Sequence, residues 1–216
     1  MIAKYTIPPR LHFVWVGQDL PDVSAHISTW RNHHPTWDIT LWDNDAYEQH
    51  RWLSRKQMRL FEACNAWENI ADIMRYEILH RYGGFCTDAD TICLRPIDPL
   101  ADGCRLFAPW SDEKRLPGEI NNSFIGAVEK HAVLGACIDK LGKMRHQYRS
   151  YSPFGLAWPR PFPWKSTGAS LFSKIIARYK GNDIKTLPSI SFIPPATGLR
   201  NRAAAKTYAH HAPWYL

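Results

Sequence analysis

The feature that most constrains this chain is the run Arg81-Tyr82-Gly83-Gly84-Phe85-Cys86-Thr87-Asp88-Ala89-Asp90. Upstream, Trp67, Ile70, Ala71, Met74, Ile78 and Tyr82 recur at three- and four-residue steps, so residues 62–82 read as a helix. Gly83-Gly84 ends it, and residues 85–88 read as a short buried strand that runs straight into two acids. In an extended strand, residues i and i+2 share a face, roughly 6.6 Å apart. Asp88 and Asp90 would then repel unless a cation sits near them. Oxygen donors suit Mg²⁺ or Mn²⁺, with positions left over for a diphosphate. The competing reading is a chance Asp-x-Asp in a turn. The context favours a site, because ligands of open α/β sheets bind at the C-terminal ends of strands.

The remaining pattern alternates strands and helices. Residues 10–17 read as a buried strand, 23–33 as a helix stopped before Pro35, and 37–42 as a second strand. A strand over 121–128, a helix over 131–145, a loop over 146–167, a helix over 168–179 and a last strand over 188–195 follow. That order predicts a single α/β domain. About 1–110 would bind the ligand, and about 111–216 would form the other side of the site.

Five cysteines without a C-x-x-C pair suggest reduced, packed thiols in a cytosolic protein. No apolar run reaches the roughly 18 residues of a membrane span, and the N-terminus lacks a signal-peptide core. The expected location is therefore cytoplasmic. Charge is uneven: residues 1–113 hold 11 Lys/Arg and 16 Asp/Glu, and residues 114–216 hold 16 and 4. A basic half suits an anionic partner, including peripheral contact with the inner membrane face. Ordinary solubility charge is the competing reading.

Asp72 and Arg75 lie three apart on the helix before the acids. They read either as a surface pair worth ~0.5 kcal/mol or as a grip on sugar hydroxyls and phosphate. With them, "ADIMRYEILHRYGGFCTDAD" resembles the signature of the Asp-x-Asp glycosyltransferases of family 32. That family includes yeast initiating α-mannosyltransferases and capsular polysaccharide transferases, and more distantly the glucosylating toxins. "IPPRLHFVWVG", "TWRNHHPTWDITLW", "NNSFIGAVEKH" and "STGASLF" resemble its other segments. The likeness is strong over residues 7–110 and weaker beyond. Phe85-Cys86 replaces the family's aliphatic-Tyr pair, and Ala169 stands where proline is usual.

The resemblance implies a GT-A, Rossmann-like fold and a retaining, metal-dependent sugar transfer. The donor would be a nucleotide sugar, a UDP-sugar before GDP-mannose. The acceptor would be a glycan or lipid-linked saccharide. It makes Asp72, Arg75, Asp88 and Asp90 the core of the site. Asp90 would ligate Mn²⁺ (or Mg²⁺), and Asp88 would touch ribose or a metal-bound water. Val14 and Trp15 would meet the nucleobase, although a core role for Trp15 competes. In "YAHHAPWYL", His210 or His211 would add a metal ligand and Trp214 would cap the donor. Asn121 and Asn122 would face the sugar or acceptor, or else cap a turn. Residues 145–165 would form an acceptor loop. No carboxylate stands out as a nucleophile, so front-face displacement is the expected course. Two rivals have sequence support: "DADT" fits a haloacid-dehalogenase-type phosphatase, and the basic half fits a polyanion- or carbohydrate-binding module. No nucleic-acid motif is present.

Overall fold

The computed structural model describes residues 7–17, 22–144, 163–194 and 206–212 of the 216. The apolar run Leu11-His12-Phe13-Val14 forms β1 (Arg10–Val14), which is almost wholly buried. β1 pairs in parallel with β2 (Asp38–Trp42) on one side and β3 (Gly84–Asp88) on the other. Parallel neighbours need crossovers. Helix α1 (Ser24–His33) makes the first. Helices α2 (Asn44–Gln49), α3 (Arg55–Glu62) and α4 (Trp67–Tyr82) make the second. β4 (Thr91–Cys93) follows β3, and then come β5 (Leu106–Asp112), β6 (Leu116–Ile120) and β7 (Ile125–Ala127). Helices α5 (Ala132–Gly142), α6 (Pro163–Ser166) and α7 (Ala169–Ile176) precede β8 (Ile184–Leu187) and β9 (Ala209–His211). The main sheet runs β2-β1-β3-β7-β5-β6, with β8 on β5, and mixes parallel and antiparallel pairs.

Strand alternation sorts the core into two layers. Leu11, Phe13, Phe85 and Phe107 pack on the α1 side with Trp30, Phe124 and Phe192. Val14, Cys86, Leu106 and Ala108 pack on the other side against Ile70, Met74, Leu134 and Phe172 of α4, α5 and α7. The result is a helix–sheet–helix sandwich, as the alternating pattern predicts. All five cysteines are free, and four are buried. Among the described residues no helix is long and apolar enough to cross a membrane.

The expected helix over 62–82 starts only at Trp67, as α4, and residues 63–66 connect it to α3. α3 stops at Glu62, the Ala66 N–H bonds back to the Phe61 carbonyl, and Asn65 takes a left-handed φ of 54°. The expected strand over 188–195 is instead a 3-10 turn at Ser189–Ser191, because Pro188 has no N–H for a ladder. The real strand is the preceding β8. The expected strand over 121–128 shrinks to β7, and residues 121–123 line the cleft described below while Phe124 packs in the core.

Gly83 and Gly84 are required by geometry. Their φ values are 61° and 103°, and a Cβ on Gly84 would lie 2.7 Å from the Arg10 carbonyl oxygen. His12 fastens the same corner. Its Nδ1 accepts from the Trp42 indole at 3.3 Å, so Nε2 carries the proton and donates to the Gly83 carbonyl at 3.0 Å. Burial holds its pKa down at about 4. The unfolded chain therefore binds the proton more readily than the folded one. The stability His12 confers is present above pH 6.5 and is lost as pH falls from 6.5 toward 4. Its share of the loss between pH 7 and 4.5 is about 2.5 kcal/mol. His12→Gln should remove that share from the acid limb of urea unfolding. His34 and His131, shifted down mainly by burial, stay in both proteins.

Candidate active site

Val14 and Asp88 lie side by side where β1 and β3 end, and a cleft of about 1070 Å³ opens there. The sheet places the site at the C-terminal edge of its parallel strands, where such folds bind ligands. Val14, Trp15, Asp72, Arg75, Asp88 and Asp90 all line it.

β3 ends at Asp88, and Ala89-Asp90 form a turn rather than the extended pair that the spacing suggests. The Ala89 N–H reaches the Val14 carbonyl at 3.3 Å, and the Thr91 hydroxyl holds the Asp88 carbonyl at 2.9 Å. β4 then pairs antiparallel with β9, setting Thr91 opposite His211. The Ala212 N–H bonds the Asp90 carbonyl at 2.7 Å. His211 Nδ1 lies 3.2 Å from Asp90 Oδ1, and its Nε2 lies 3.9 Å from Asp88 Oδ2. One ligand atom from each of Asp88, Asp90 and His211 falls within 4.8 Å of the others. Burial works against a charge on His211, but the Asp90 hydrogen bond and both carboxylates raise its pKa overall.

His210 does not join this group. Adjacent strand residues face opposite ways, and its Nδ1 sits 2.7 Å from the His211 carbonyl. Trp214 and residues 145–162 of the expected acceptor loop lie outside the described residues.

Arg75 is an internal brace. Its side chain is 2% exposed, one terminal nitrogen donates to Asp72 Oδ1 at 3.0 Å, and the other donates to Asp88 Oδ1. Burial opposes the guanidinium charge, yet Asp88 and Asp72 hold its pKa above the ordinary value. This is neither a surface pair nor an open phosphate grip. Asp72 also accepts from the Asn122 amide at 2.6 Å and from the Thr167 hydroxyl at 2.8 Å. Burial pushes the Asp72 carboxyl up to about 6, against the pull of Arg75, Thr167 and Asn122. Asn121, by contrast, caps its own turn by accepting from the Ser123 N–H. Trp15 lines the cleft while packing on the α1-side core.

The sequence placed none of Thr167, Asn69 and Trp67 in the site, and Trp67 entered only as part of the apolar stripe of the helix. Asn69 donates to the Thr167 hydroxyl at 2.9 Å, and Tyr76 donates to the Thr167 carbonyl at 2.7 Å. Thr167 stands in the quoted "STGASLF" segment, which was the available signal. Trp67 lines the cleft against Gly17, where a Cβ would come within 2.0 Å of its ring. Two carboxylates and one imidazole suit a divalent cation that accepts both oxygen and nitrogen donors, as Mn²⁺ does.

A family profile described as the glycosyltransferase sugar-binding region containing the DXD motif matches residues 21–107. The chain is 28% identical to inositol phosphoceramide mannosyltransferase 1 of Schizosaccharomyces pombe, over 68% of this chain and 46% of that protein. It is 29% identical to mannosyl phosphorylinositol ceramide synthase SUR1 of Saccharomyces cerevisiae, over 97% of this chain and 52% of that one. The chain thus spans about half the length of these curated relatives. Among solved structures, PaToxG glycosyltransferase superposes with a TM-score of 0.58 at 13% identity, covering 82% of this chain and 70% of that one. The UDP-bound glycosyltransferase domain of the YGT toxin gives 0.56 at 10% identity, over 85% and 80%. These matches show the GT-A fold that the sequence implied.

Proposed function

From the match of residues 21–107 to the DXD-containing glycosyltransferase sugar-binding profile, we propose that the chain is a glycosyltransferase. It would move a hexosyl group from a nucleoside-diphosphate sugar to a hydroxyl of a glycan or glycolipid. The observation that carries this is the convergence of Asp88, Asp90 and His211 beside the braced Asp72–Arg75 pair in one cleft. Mannose is the sugar to try first, because both curated relatives are named for mannosyl transfer. GDP-mannose therefore moves ahead of the UDP-sugars that the sequence alone favoured.

Asp88, Asp90 and His211 would hold a divalent cation, Mn²⁺ in this proposal, which supplies positive charge against a departing diphosphate. Arg75 orients Asp72 and Asp88, and its charge opposes the burial that favours a neutral Asp72. Asp72, fixed by Asn122 and Thr167, offers its remaining lone pairs to donor-sugar hydroxyls. Trp15 presents a ring at the β1 end of the cleft for a nucleobase. Front-face displacement would give the acceptor proton to the leaving phosphate, with no side chain acting as nucleophile. The phosphatase alternative loses ground because Asp88, its required nucleophile, is tied to a buried guanidinium.

The test is release of nucleoside diphosphate from GDP-mannose and from UDP-glucose, with Mn²⁺ and then with EDTA. Release from one donor that stops on chelation supports the reading. No release from either donor, with a hydroxylated acceptor panel present, overturns it.

A further inference from the structure

We propose that Trp164 and Glu119 form the acceptor subsite of this cleft and take a hydroxylated ring, either a pyranose or a cyclitol. This rests on the transferase reading above. Trp164 is one of few large apolar side chains left exposed among the described residues, at 43%. It lines the same cleft as Asp72 and Asp90. An indole so placed adds little to the core, and its edge is already used: Nε1 donates to Glu119 Oε2 at 2.5 Å. That bond fixes the ring, the Lys165 ammonium sits 5.8 Å from its centroid over one face, and the opposite face is the one a ligand would use.

Both partners are anchored to the catalytic wall. α6 carries Trp164, and the Thr167 and Gly168 N–H groups close that turn on the Pro163 carbonyl at 3.1 and 2.9 Å. Thr167 then donates to Asp72. On the other side, β6 carries Glu119 and is pinned to α7 by the Ile120 N–H on the Ser173 hydroxyl at 2.8 Å. Leu116, 41% exposed on the same strand, lines the cleft too.

The chemistry selects the ligand. A pyranose or cyclitol has C–H faces that pack on an aromatic plane and hydroxyls that donate to carboxylates. Glu119 has lone pairs beyond the one that Trp164 uses. A flat apolar ligand would gain nothing from Glu119, and a polyanion would be repelled by it.

The experiment measures transfer from the active donor to methyl α-D-mannopyranoside, methyl β-D-galactopyranoside and myo-inositol. It uses wild type, Trp164→Ala, Trp164→Phe and Glu119→Gln. The expected result is transfer to at least one ring, with acceptor KM raised about tenfold or more in Trp164→Ala. Trp164→Phe should recover most of the loss, and donor KM should move much less than acceptor KM. An unchanged acceptor KM in Trp164→Ala overturns the proposal. So does donor hydrolysis by wild type without transfer to any of the three rings, which leaves the transferase reading standing. Absence of any donor turnover by wild type removes that reading and the subsite with it.

Discussion

Arg75→Met should destabilise the protein by about 3–5 kcal/mol and abolish donor turnover. The guanidinium is almost fully buried and bonds Asp72 and Asp88 at once. Without it, two carboxylates face each other with no cation between them. Asp72 already titrates near 6 with its brace in place, so burial alone would drive it toward the neutral form. Urea unfolding at pH 7 reads the stability, and nucleoside diphosphate release reads the turnover. Arg75→Lys keeps the charge as a point, without a planar fork that spans two acids, and should fall between wild type and Arg75→Met. Adding Asp72→Asn to Arg75→Met should restore part of the stability and none of the activity, because it removes one stranded charge but also the carboxylate proposed to meet the donor sugar. A variant with wild-type stability and turnover would show that the brace is idle.

Asp90→Ala should give the opposite signature. Its carboxylate pairs with His211 and lies near Asp88, so removing it relieves like-charge repulsion while losing one hydrogen bond. Folding stability should change by no more than about 1 kcal/mol. Donor turnover should fall about a thousandfold, the scale on which removing a group that stabilises developing charge acts. Thermal melting in EDTA and steady-state turnover with Mn²⁺ separate the two effects. A large loss of stability would make Asp90 structural, and retained turnover would remove it from the site.

How far these residues could be read in advance follows from the range of the forces that place them. α4, the glycine pair and β3 are local: spacing, left-handed φ and a short apolar run all lie within 22 residues, 67–88. The parallel core was legible for the same reason. The β5–β6 hairpin was hidden because Pro109, Pro117 and Gly118 interrupt the strand pattern. The break between α3 and α4 was marked only by Asn65, a residue that takes a left-handed backbone more readily than most but sits equally well in other conformations.

In the cleft, Asp72 and Arg75 were legible as a helical pair, yet their burial was not. Asn122 and Thr167 meet Asp72 from 50 and 95 residues away. No local pattern reports a contact of that span. The choice between His210 and His211 likewise depended on the β4–β9 register, since only one of two neighbours on a strand can face the acids.

In the proposed function, Asp88, Asp90 and His211 hold a cation that a nucleoside diphosphate shares. The most direct measurement is calorimetric titration of GDP and of UDP, each with Mn²⁺ or with EDTA, into wild type and Asp90→Asn. The expected result is binding of one nucleotide that requires Mn²⁺ and is lost in the variant. Binding that is equal in EDTA, or equal in Asp90→Asn, or absent for both nucleotides with Mn²⁺ present, would contradict it.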